Sequence, residues 1–253
     1  MDLLHVLGRR DGAGDTSDLS GNIGLGARSA LLAELAELDA QKAKLVQKRG
    51  RALLEEAKVR LTEAGVGEVT TMLRYGDIAE TVHEFELDAH LVVIGKRGEA
   101  ADFAKLHLGS NLERVVRSTR RPVLVVSRAF KPVSHFLVAF DGGSSSAKAI
   151  DHLVRSRIFT GIACTLLMVG KETPEARRQI DEAATTLRAA GYEVDATIEQ
   201  GQPEKVISSR IEAGGIDMLV MGAYGHSRIR NLIIGSTTSE MIRSCMIPIM
   251  LYR

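Results

Sequence analysis

Glycines and hydroxyl side chains are combined in the stretch Gly222–Thr238, which reads GAYGHSRIRNLIIGSTT. Its three glycines are separated by two and then nine residues, and the last of them is followed by three hydroxyl residues. Glycine lets a backbone approach a ligand closely, and the amides and hydroxyls at the start of a helix suit a phosphate group. The same features also fit a strand-end turn followed by an ordinary Ser/Thr helix cap.

Polar side chains elsewhere offer further candidates for ligand binding. Asp141 ends a predicted strand in the segment VAFDGG, and ligands of open α/β sheets bind at strand ends. The alternative is that Asp141 forms the turn before the following Gly-Gly pair. His226, Arg228 and Arg230 lie in a loop without an acidic residue, and a solvated loop is the competing interpretation for all three.

The elements that position these residues follow from short apolar runs that alternate with segments of helical period. Runs this continuously apolar are expected in a parallel sheet covered by helices on both faces. The sequence therefore predicts an α/β fold with a doubly wound five-stranded parallel sheet in the second half of the chain. The predicted strands are His135–Asp141, Ala163–Val169, Val194–Glu199, Met218–Gly222 and Ile247–Tyr252, with helices near Ser145, Pro174, Pro203 and Ser236.

Most of this pattern occurs twice in the chain. LVVIGKRG at Leu91–Gly98 corresponds to MLVMGAYG at Met218–Gly225 with an offset of 127 residues, and PVLVV corresponds to PIMLY with an offset of 126. The sequence therefore predicts two tandem domains, at residues 1–130 and 134–253, with a boundary at Phe130–Ser134.

The first copy is predicted to lack its opening strand and helix. The counterpart of HFLVAFDGG would lie before Met1, and this copy carries 36 additional residues between its second strand and its glycine motif. These residues include a Gly-rich stretch at Gly12–Gly26 and a helical stretch at about Ser29–Ala64. Since the opening strand is central in such a sheet, its absence exposes two strand edges, and we expect a natural start upstream of Met1 or a trimmed chain.

The glycine motif of the first copy is a poorer candidate for phosphate binding. Ten residues instead of nine separate Gly98 from Gly109, and the loop between them carries two acidic residues, which would repel an anion. Leu112 replaces the third hydroxyl residue of the second copy, and the pair Lys96-Arg97 is interpreted as a surface charge pair. We therefore expect one phosphate-binding site per chain, in the second copy.

Composition excludes several classes of function. The 253 residues include 33 Lys and Arg against 32 Asp and Glu, and a net charge of +1 gives no electrostatic reason for a nucleic-acid or membrane partner. Two separated cysteines, Cys164 and Cys245, argue against a disulfide framework or a zinc site and favour a reducing compartment. No apolar run is long enough to span a bilayer, so we expect a soluble, cytoplasmic protein.

The motifs together resemble the universal stress protein family. The resemblance rests on the G-x2-G-x9-G-(S/T) spacing from Gly222, on Asp141 at the end of a first strand, and on LLHV or LLMV in a second strand. It covers the whole second copy and all of the first copy except the missing opening. It implies a sheet of strand order 3-2-1-4-5 and, in many members, binding of ATP or a related adenine nucleotide, with or without Mg²⁺.

The resemblance also implies roles for individual residues. Ala139 and Asp141 correspond to the end of the first strand beside the adenosine, and Val169 corresponds to the contact of the second strand with the base. The remaining positions are Met221, Gly222, Tyr224 and Gly225 in the turn around the ribose and phosphates, and Gly235, Ser236, Thr237 and Thr238 in the phosphate cradle.

We expect an adenine-nucleotide-binding stress-response protein with slow or no ATP hydrolysis, because no positioned general base is evident. The alternative is a structural or interaction protein whose ligand is incidental. The resemblance implies that the last strands, Pro122–Ser127 and Ile247–Tyr252, pair within the chain as a pseudo-dimer, and exposed strand edges also favour a homo-oligomer. Gly235→Val or Gly222→Val is expected to abolish binding while the fold persists, because each adds a branched Cβ where the backbone must approach the phosphate or ribose.

Overall fold

The fold is described from a computed structural model of the chain. It describes residues 1–8, 25–96, 110–127, 130–156, 158–223 and 235–253. Two compact units are present, Met1–Glu84 and Phe85–Arg253. The domain limits expected from the repeat, 1–130 and 134–253, are limits of sequence similarity and stay a prediction.

The first unit contains a parallel strand pair packed against a long helix. Its elements are β1 (Asp2–Leu7), α1 (Leu25–Glu63), β2 (Thr70–Tyr75) and, at its end, α2 (Ile78–Phe85). Strands β1 and β2 form a two-stranded sheet in which Asp2 lies opposite Thr70. A Cβ at Gly50 of α1 would lie 2.9 Å from the side chains of both His5 and Leu73, so the absence of a side chain lets the helix cross the strands closely.

The helix expected in the first copy is confirmed with slightly different limits. The sequence predicts Ser29–Ala64, and α1 spans Leu25–Glu63. Most of the Gly-rich stretch Gly12–Gly26 lies outside the described residues. Among the helices of the described segments, none is both long and apolar enough to cross a membrane.

The second unit is built around one seven-stranded sheet. A short 3-10 turn at Glu86–Asp88 precedes the sheet. Its strands are β3 (Val92–Gly95), β4 (Val123–Val126), β5 (His135–Ala139), β6 (Ala163–Val169), β7 (Glu193–Glu199), β8 (Met218–Gly222) and β9 (Ile249–Tyr252). Its helices are α3 (Ser110–Ser118), α4 (Ser144–Ser156), α5 (Pro174–Ala189), α6 (Pro203–Glu212) and α7 (Ser236–Ser244). The strand order is β3-β4-β9-β8-β5-β6-β7.

The strands of the second sequence copy confirm the expected topology. Strand β5 pairs in parallel with β6 and β8, β6 pairs with β7, and β8 pairs with β9, which is the order 3-2-1-4-5. Strands β4 and β9 pair antiparallel, with Val123 opposite Leu251 and Val125 opposite Ile249. The expected pairing of the two last strands within the chain is therefore confirmed.

The apolar character of β5 follows from burial of both faces of the sheet. Successive side chains of a strand point to opposite faces. Phe136 lies in one core cluster with Leu153 of α4 and Ile180 of α5, whereas Leu137 lies in a second cluster with Met241 of α7. All five side chains are fully buried. Helices α4 and α5 therefore cover one face of the sheet, and α7 covers the other.

Equivalent strands of the two copies make equivalent hydrogen bonds. The amide of Lys96 donates to the carbonyl oxygen of Val126 over 3.1 Å, and the amide of Ala223 donates to that of Tyr252 over 2.7 Å. The four strands of the first copy nevertheless belong to two sheets, β1-β2 and β3-β4 with β9. This interruption falls where the sequence predicts the missing opening strand. Strand β3 is therefore an edge, and Val93 is 49% exposed.

A buried carboxylate fixes the segment that leads into the second copy. Asp217, directly before β8, is 3% exposed and accepts hydrogen bonds from the amide of Ser134 over 2.9 Å and from its hydroxyl over 2.6 Å. The amide of His135 donates to the same oxygen, and Lys131 forms a salt bridge with Asp217. The hydrogen bonds from Lys131 and Ser134 hold the pKa of this carboxyl well below its usual range.

Replacing Asp217 tests this contact. Asp217→Asn is expected to lower the free energy of unfolding at pH 7 by about 2 kcal/mol, because charge-assisted hydrogen bonds are lost. Since the pKa is lower in the folded state than the value of about 4 in the unfolded state, the stabilisation is present above that value and disappears as the pH falls. Urea unfolding should show a larger difference between wild type and variant at pH 7 than at pH 3.

Asp195→Asn, at an exposed position of β7, is the matched control and should unfold like the wild type. Equal stability of Asp217→Asn and the wild type at pH 7 would contradict the structural role of this carboxylate.

Candidate functional site

A crevice opens at the centre of the sheet in the second unit. Strand β5 pairs with β6 on one side and β8 on the other, and Ala139 at its end lies opposite Leu167 and Met221. Helix α4 follows β5 on one face of the sheet, and α7 follows β8 on the opposite face. Because the two connections diverge, the strand ends are left open between them, which is where open α/β sheets bind ligands.

Asp141 follows β5 at this crevice and shapes the turn into α4. Its Oδ1 accepts a hydrogen bond from the amide of Gly143 over 2.9 Å and lies 2.6 Å from the hydroxyl oxygen of Ser146. Gly142 has a φ of +71°, a left-handed conformation that favours glycine. Asp141 therefore forms the turn before α4, as the alternative interpretation of the sequence expects. Its side chain is exposed, so ligand binding is compatible with this turn and stays a prediction.

Gly222 at the end of β8 packs against the first turn of α4. A Cβ at this position would lie 2.8 Å from the Cβ of Ser145 and 3.2 Å from the amide nitrogen of Ser146. The glycine is thus required for strand-to-helix packing. This finding corrects the expectation that a Cβ at Gly222 would leave the fold intact, and only Gly235 remains suitable for that test.

Two hydrogen bonds fix the start of α7 at the end of β8. The amide of Gly235 donates to the carbonyl oxygen of Ala223 over 3.2 Å, and the hydroxyl of Thr238 donates to that of Gly222 over 3.2 Å. Thr238 is only 3% exposed. Because a hydroxyl carries a single hydrogen, this contact uses Thr238 to position the helix rather than to donate into the crevice.

The N-cap residue of α7 is a glycine, so this residue has no side chain that could cap the first turn. Gly235 occupies the N-cap position and makes no side-chain cap hydrogen bond, whereas the Thr173 side chain of α5 accepts one from the amide of Ala176. The first amides of a helix lack an intrahelical acceptor, and the helix dipole makes this end positive. With the exposed Ser236 and the half-buried Thr237, these amides form a donor set suited to an anion.

An open groove of about 480 Å³ lies beside this donor set, between α6 and α7. It is lined by Glu204, Lys205, Ser208, Ser236, Thr237, Glu240 and Ser244. Its two glutamates outnumber its one lysine, so the groove beyond the helix start does not favour a phosphate. Since Asp141 and Val169 do not line it, it is also not the expected adenosine pocket.

The other expected site residues that the structure describes lie at the same edge of the sheet. Ala139, Val169 and Met221 stand at the ends of β5, β6 and β8, and the first two are half-buried whereas Met221 is buried. Residues 224–234, the segment after β8, lie outside the described residues. They include five residues that the sequence indicates as candidates, Tyr224, Gly225, His226, Arg228 and Arg230.

The corresponding region of the first copy is arranged differently. Lys96, expected in a surface charge pair, instead donates to the carbonyl oxygen of Cys245 at the C-terminus of α7, where the helix dipole is negative. Leu112, the counterpart of Thr238, is buried in the core. Gly98 and Gly109 lie outside the described residues. The expectation of a single site per chain stays a prediction.

Other kinds of site find no support in the described part of the chain. Within those residues, no group of three or more His, Cys, Asp or Glu side chains is placed to hold a metal ion. Both cysteines are buried free thiols, and burial raises the pKa of Cys164 to about 12 and also raises that of Cys245. A thiol with a raised pKa is a poor nucleophile at neutral pH.

Two contacts of the site have no clear signal in the sequence. The packing of Gly222 on Ser145 joins segments that are distant in the chain, so no local pattern reveals it. The hydroxyl bond from Thr238 to Gly222 resembles an ordinary Ser/Thr helix start when only the sequence is read. By contrast, the serine run after the Gly-Gly pair is a usable signal for the helix start at which Ser146 contacts Asp141.

Comparison with known proteins identifies one family in both copies. The model of the Universal stress protein family matches residues 24–127 and 165–253, more than half of the chain. A universal stress protein of Synechocystis sp. is 36% identical over 247 residues, which cover 97% of this chain and 86% of that protein. One from Mycolicibacterium smegmatis is 25% identical over 205 residues, which cover 73% of this chain and 69% of that protein.

Solved structures share the fold. A universal stress protein from Archaeoglobus fulgidus aligns with a TM-score of 0.71 at 20% sequence identity and covers 100% of this chain and 85% of its own. A functionally unknown protein from Pseudomonas aeruginosa aligns with a TM-score of 0.61 at 18% identity. The alignment covers 99% of this chain and 92% of the Pseudomonas chain. At these identities the likeness shows the fold alone.

The packing role of Gly222 can be tested by adding one methyl group. Gly222→Ala is expected to lower the free energy of unfolding by about 1 to 3 kcal/mol, because the new Cβ would overlap the first turn of α4. Chemical denaturation monitored by circular dichroism measures the change. Gly170→Ala is the matched control, since a Cβ there would have no atom within 4 Å. Equal stability of the two variants would show that Gly222 is not needed for packing.

Proposed function

Because the chain belongs to the universal stress protein family, we propose that it is an adenine-nucleotide-binding stress-response protein with one ATP-type site, formed by the second sequence copy. The observation that carries this proposal is the start of α7, whose donors lack a side-chain cap at the N-cap residue and are held at the end of β8 by two hydrogen bonds. That position adjoins the crevice at the strand ends. The phosphates of a nucleotide would suit the donors of α7, and its nucleoside would suit the crevice.

The phosphates are proposed to bind at the first turn of α7. The amides of this turn and the hydroxyls of Ser236 and Thr237 would donate to phosphate oxygens. At Gly235 no side chain stands between the backbone and a ligand. Thr238 would keep the helix in place through its bond to Gly222.

The adenosine is proposed to lie across the ends of β5, β6 and β8. The exposed carboxylate of Asp141 can accept hydrogen bonds from ribose hydroxyls or from a base amino group. Ala139 and Val169, which are half-buried, supply apolar surface at the neighbouring strand ends, whereas the buried Met221 is assigned there by family resemblance alone. Tyr224 is assigned beside the ribose, and Gly225 beside the phosphates, by family resemblance alone.

Binding without rapid turnover is the proposed mode of action. Asp141, the carboxylate at the crevice, already accepts a hydrogen bond from Gly143 and contacts the Ser146 hydroxyl. These contacts tie the carboxylate to the turn into α4 and do not position it to activate a water molecule. Mg²⁺ bound with the nucleotide would neutralise phosphate charge. The nucleotide would then act by stabilising the conformation that binds it.

A second candidate function is favoured by the pairing of β4 with β9. This antiparallel ladder joins strands of both sequence copies into one sheet. Such pairing is the feature on which the alternative function depends, namely a structural or interaction protein whose ligand is incidental. Mass spectrometry of ligands released from the purified protein separates the two functions. Adenine nucleotide in near-stoichiometric amount supports the first, whereas its absence even after incubation with ATP supports the second.

Calorimetric titration tests the number of sites. We expect about one ATP bound per chain, because the second copy alone combines the expected glycine spacing with an upstream acid, Asp141. A stoichiometry of two equal sites would contradict the asymmetry between the copies.

Substitution of Gly235 tests the phosphate cradle without disturbing the fold. Gly235→Asp places a carboxylate where it can cap α7 itself, so stability should be kept or raised by a few tenths of a kcal/mol. ATP affinity should fall by about tenfold or more, because the new charge competes with phosphate for the same amides. Gly235→Asn supplies a neutral cap and should weaken binding less.

Thr173→Asp is the control, since it keeps the cap of α5 and adds the same charge at another helix start. Unchanged ATP affinity in a folded Gly235→Asp protein would refute the assignment of the phosphates to α7.

A further inference from the structure

Helix α1 is much longer than its counterpart in the second copy. Helix α1 has 39 residues and α5 has 16. Both helices end before a left-handed glycine, Gly65 with φ of +89° and Gly191 with φ of +92°, and these glycines are 126 residues apart. The end of α1 therefore corresponds to α5, and residues 25–47 form an additional segment, which we call the α1 extension.

The α1 extension differs from the rest of the helix in its burial. Near the sheet, Leu54 is 7% exposed and Gly50 lies against β1 and β2. In the extension, Leu35 is 40% exposed, Leu38 55% and Leu45 66%. Leu38 and Leu45 are seven residues apart and share one stripe of the helix. A partner that covers these leucines is favoured, because removing apolar surface from water is stabilising.

Charges along this part of α1 are separated by sign. Every charged residue between positions 31 and 41 is acidic, and every one between 42 and 51 is basic. The acidic residues are Glu34, Glu37 and Asp39, and the basic residues are Lys42, Lys44, Lys48, Arg49 and Arg51. A parallel pairing of two such helices would place like charges together, whereas an antiparallel pairing places acidic against basic residues.

We propose that the α1 extension binds the same extension of a second copy of the chain, antiparallel and about a two-fold axis near residues 41 and 42. In this register Leu38 faces Leu45 of the second copy, and the reverse contact follows from the symmetry. The acidic segment of each helix then lies beside the basic segment of the other. The surface is self-complementary in both apolar contact and charge.

Sedimentation equilibrium of the full chain tests this dimer with two charge-reversed variants. The basic variant carries Glu34→Lys, Glu37→Lys and Asp39→Lys, and the acidic variant carries Lys42→Glu, Lys44→Glu and Lys48→Glu but keeps Arg49 and Arg51. We expect the wild type to dimerise and each variant alone to dimerise with about tenfold or more weaker affinity. A mixture of the two variants should form a heterodimer, because opposite charges then face each other across the central part of the interface.

Apolar substitutions supply a second measurement. Leu38→Gln and Leu45→Gln should each weaken the wild-type dimer, whereas Ile158→Gln, at a residue 55% exposed outside the extension, should not. Circular dichroism checks that every variant keeps its helix content.

Three outcomes would overturn the proposal. The first is a wild type that remains monomeric at about 100 μM. If this monomer also sedimented with anionic vesicles, the basic segment would be assigned to a lipid surface instead. The second is a dimer that neither set of substitutions weakens, and the third is a mixture of variants that fails to associate.

Discussion

Strand β5 has hydrogen-bonded neighbours along both edges and helices over both faces, and the second unit depends on this enclosure. A strand with no exposed edge must pair its backbone groups with other strands, and one with no exposed face must carry apolar side chains. Phe136, Leu137 and Val138 meet both requirements and are fully buried. Because β5 is enclosed, polar side chains that could bind a ligand can stand only at its end. Asp141 lies where the pairing stops, so the candidate site stands at the border of the core.

The geometry of the site is set mainly by short contacts of the main chain. Gly222 packs on the backbone of α4, the Gly235 amide bonds to the end of β8, and Thr238 adds a bond from a short side chain. Contacts of this kind involve few rotatable bonds, so little conformational entropy remains to be lost when a ligand binds. The donors of α7 are held in position by the fold itself.

The extent of α1 could be predicted from helical periodicity, and the strand order and the pairing of the last strands could be predicted from the family resemblance. The burial of a side chain by residues that are distant in the sequence could not be predicted. Asp217 reads as an ordinary acid before a strand, and its bonds come from Ser134, 83 residues earlier. The sequence predicts that Gly222 lets a ligand approach, whereas in the structure this glycine packs against Ser145. Periodicity likewise predicts a helix at α1 but not which of its faces is covered.

The ladder between β4 and β9 crosses the boundary between the two sequence copies. Because β3, α3 and β4 lie in the same compact unit as the second copy, that unit differs from the segment that is repeated in the sequence. Recombination with a related gene near Phe130 would therefore exchange part of a sheet instead of a whole domain. Val123 and Val125 lie opposite Leu251 and Ile249, so a substitution in either sequence copy alters a ladder that both copies share.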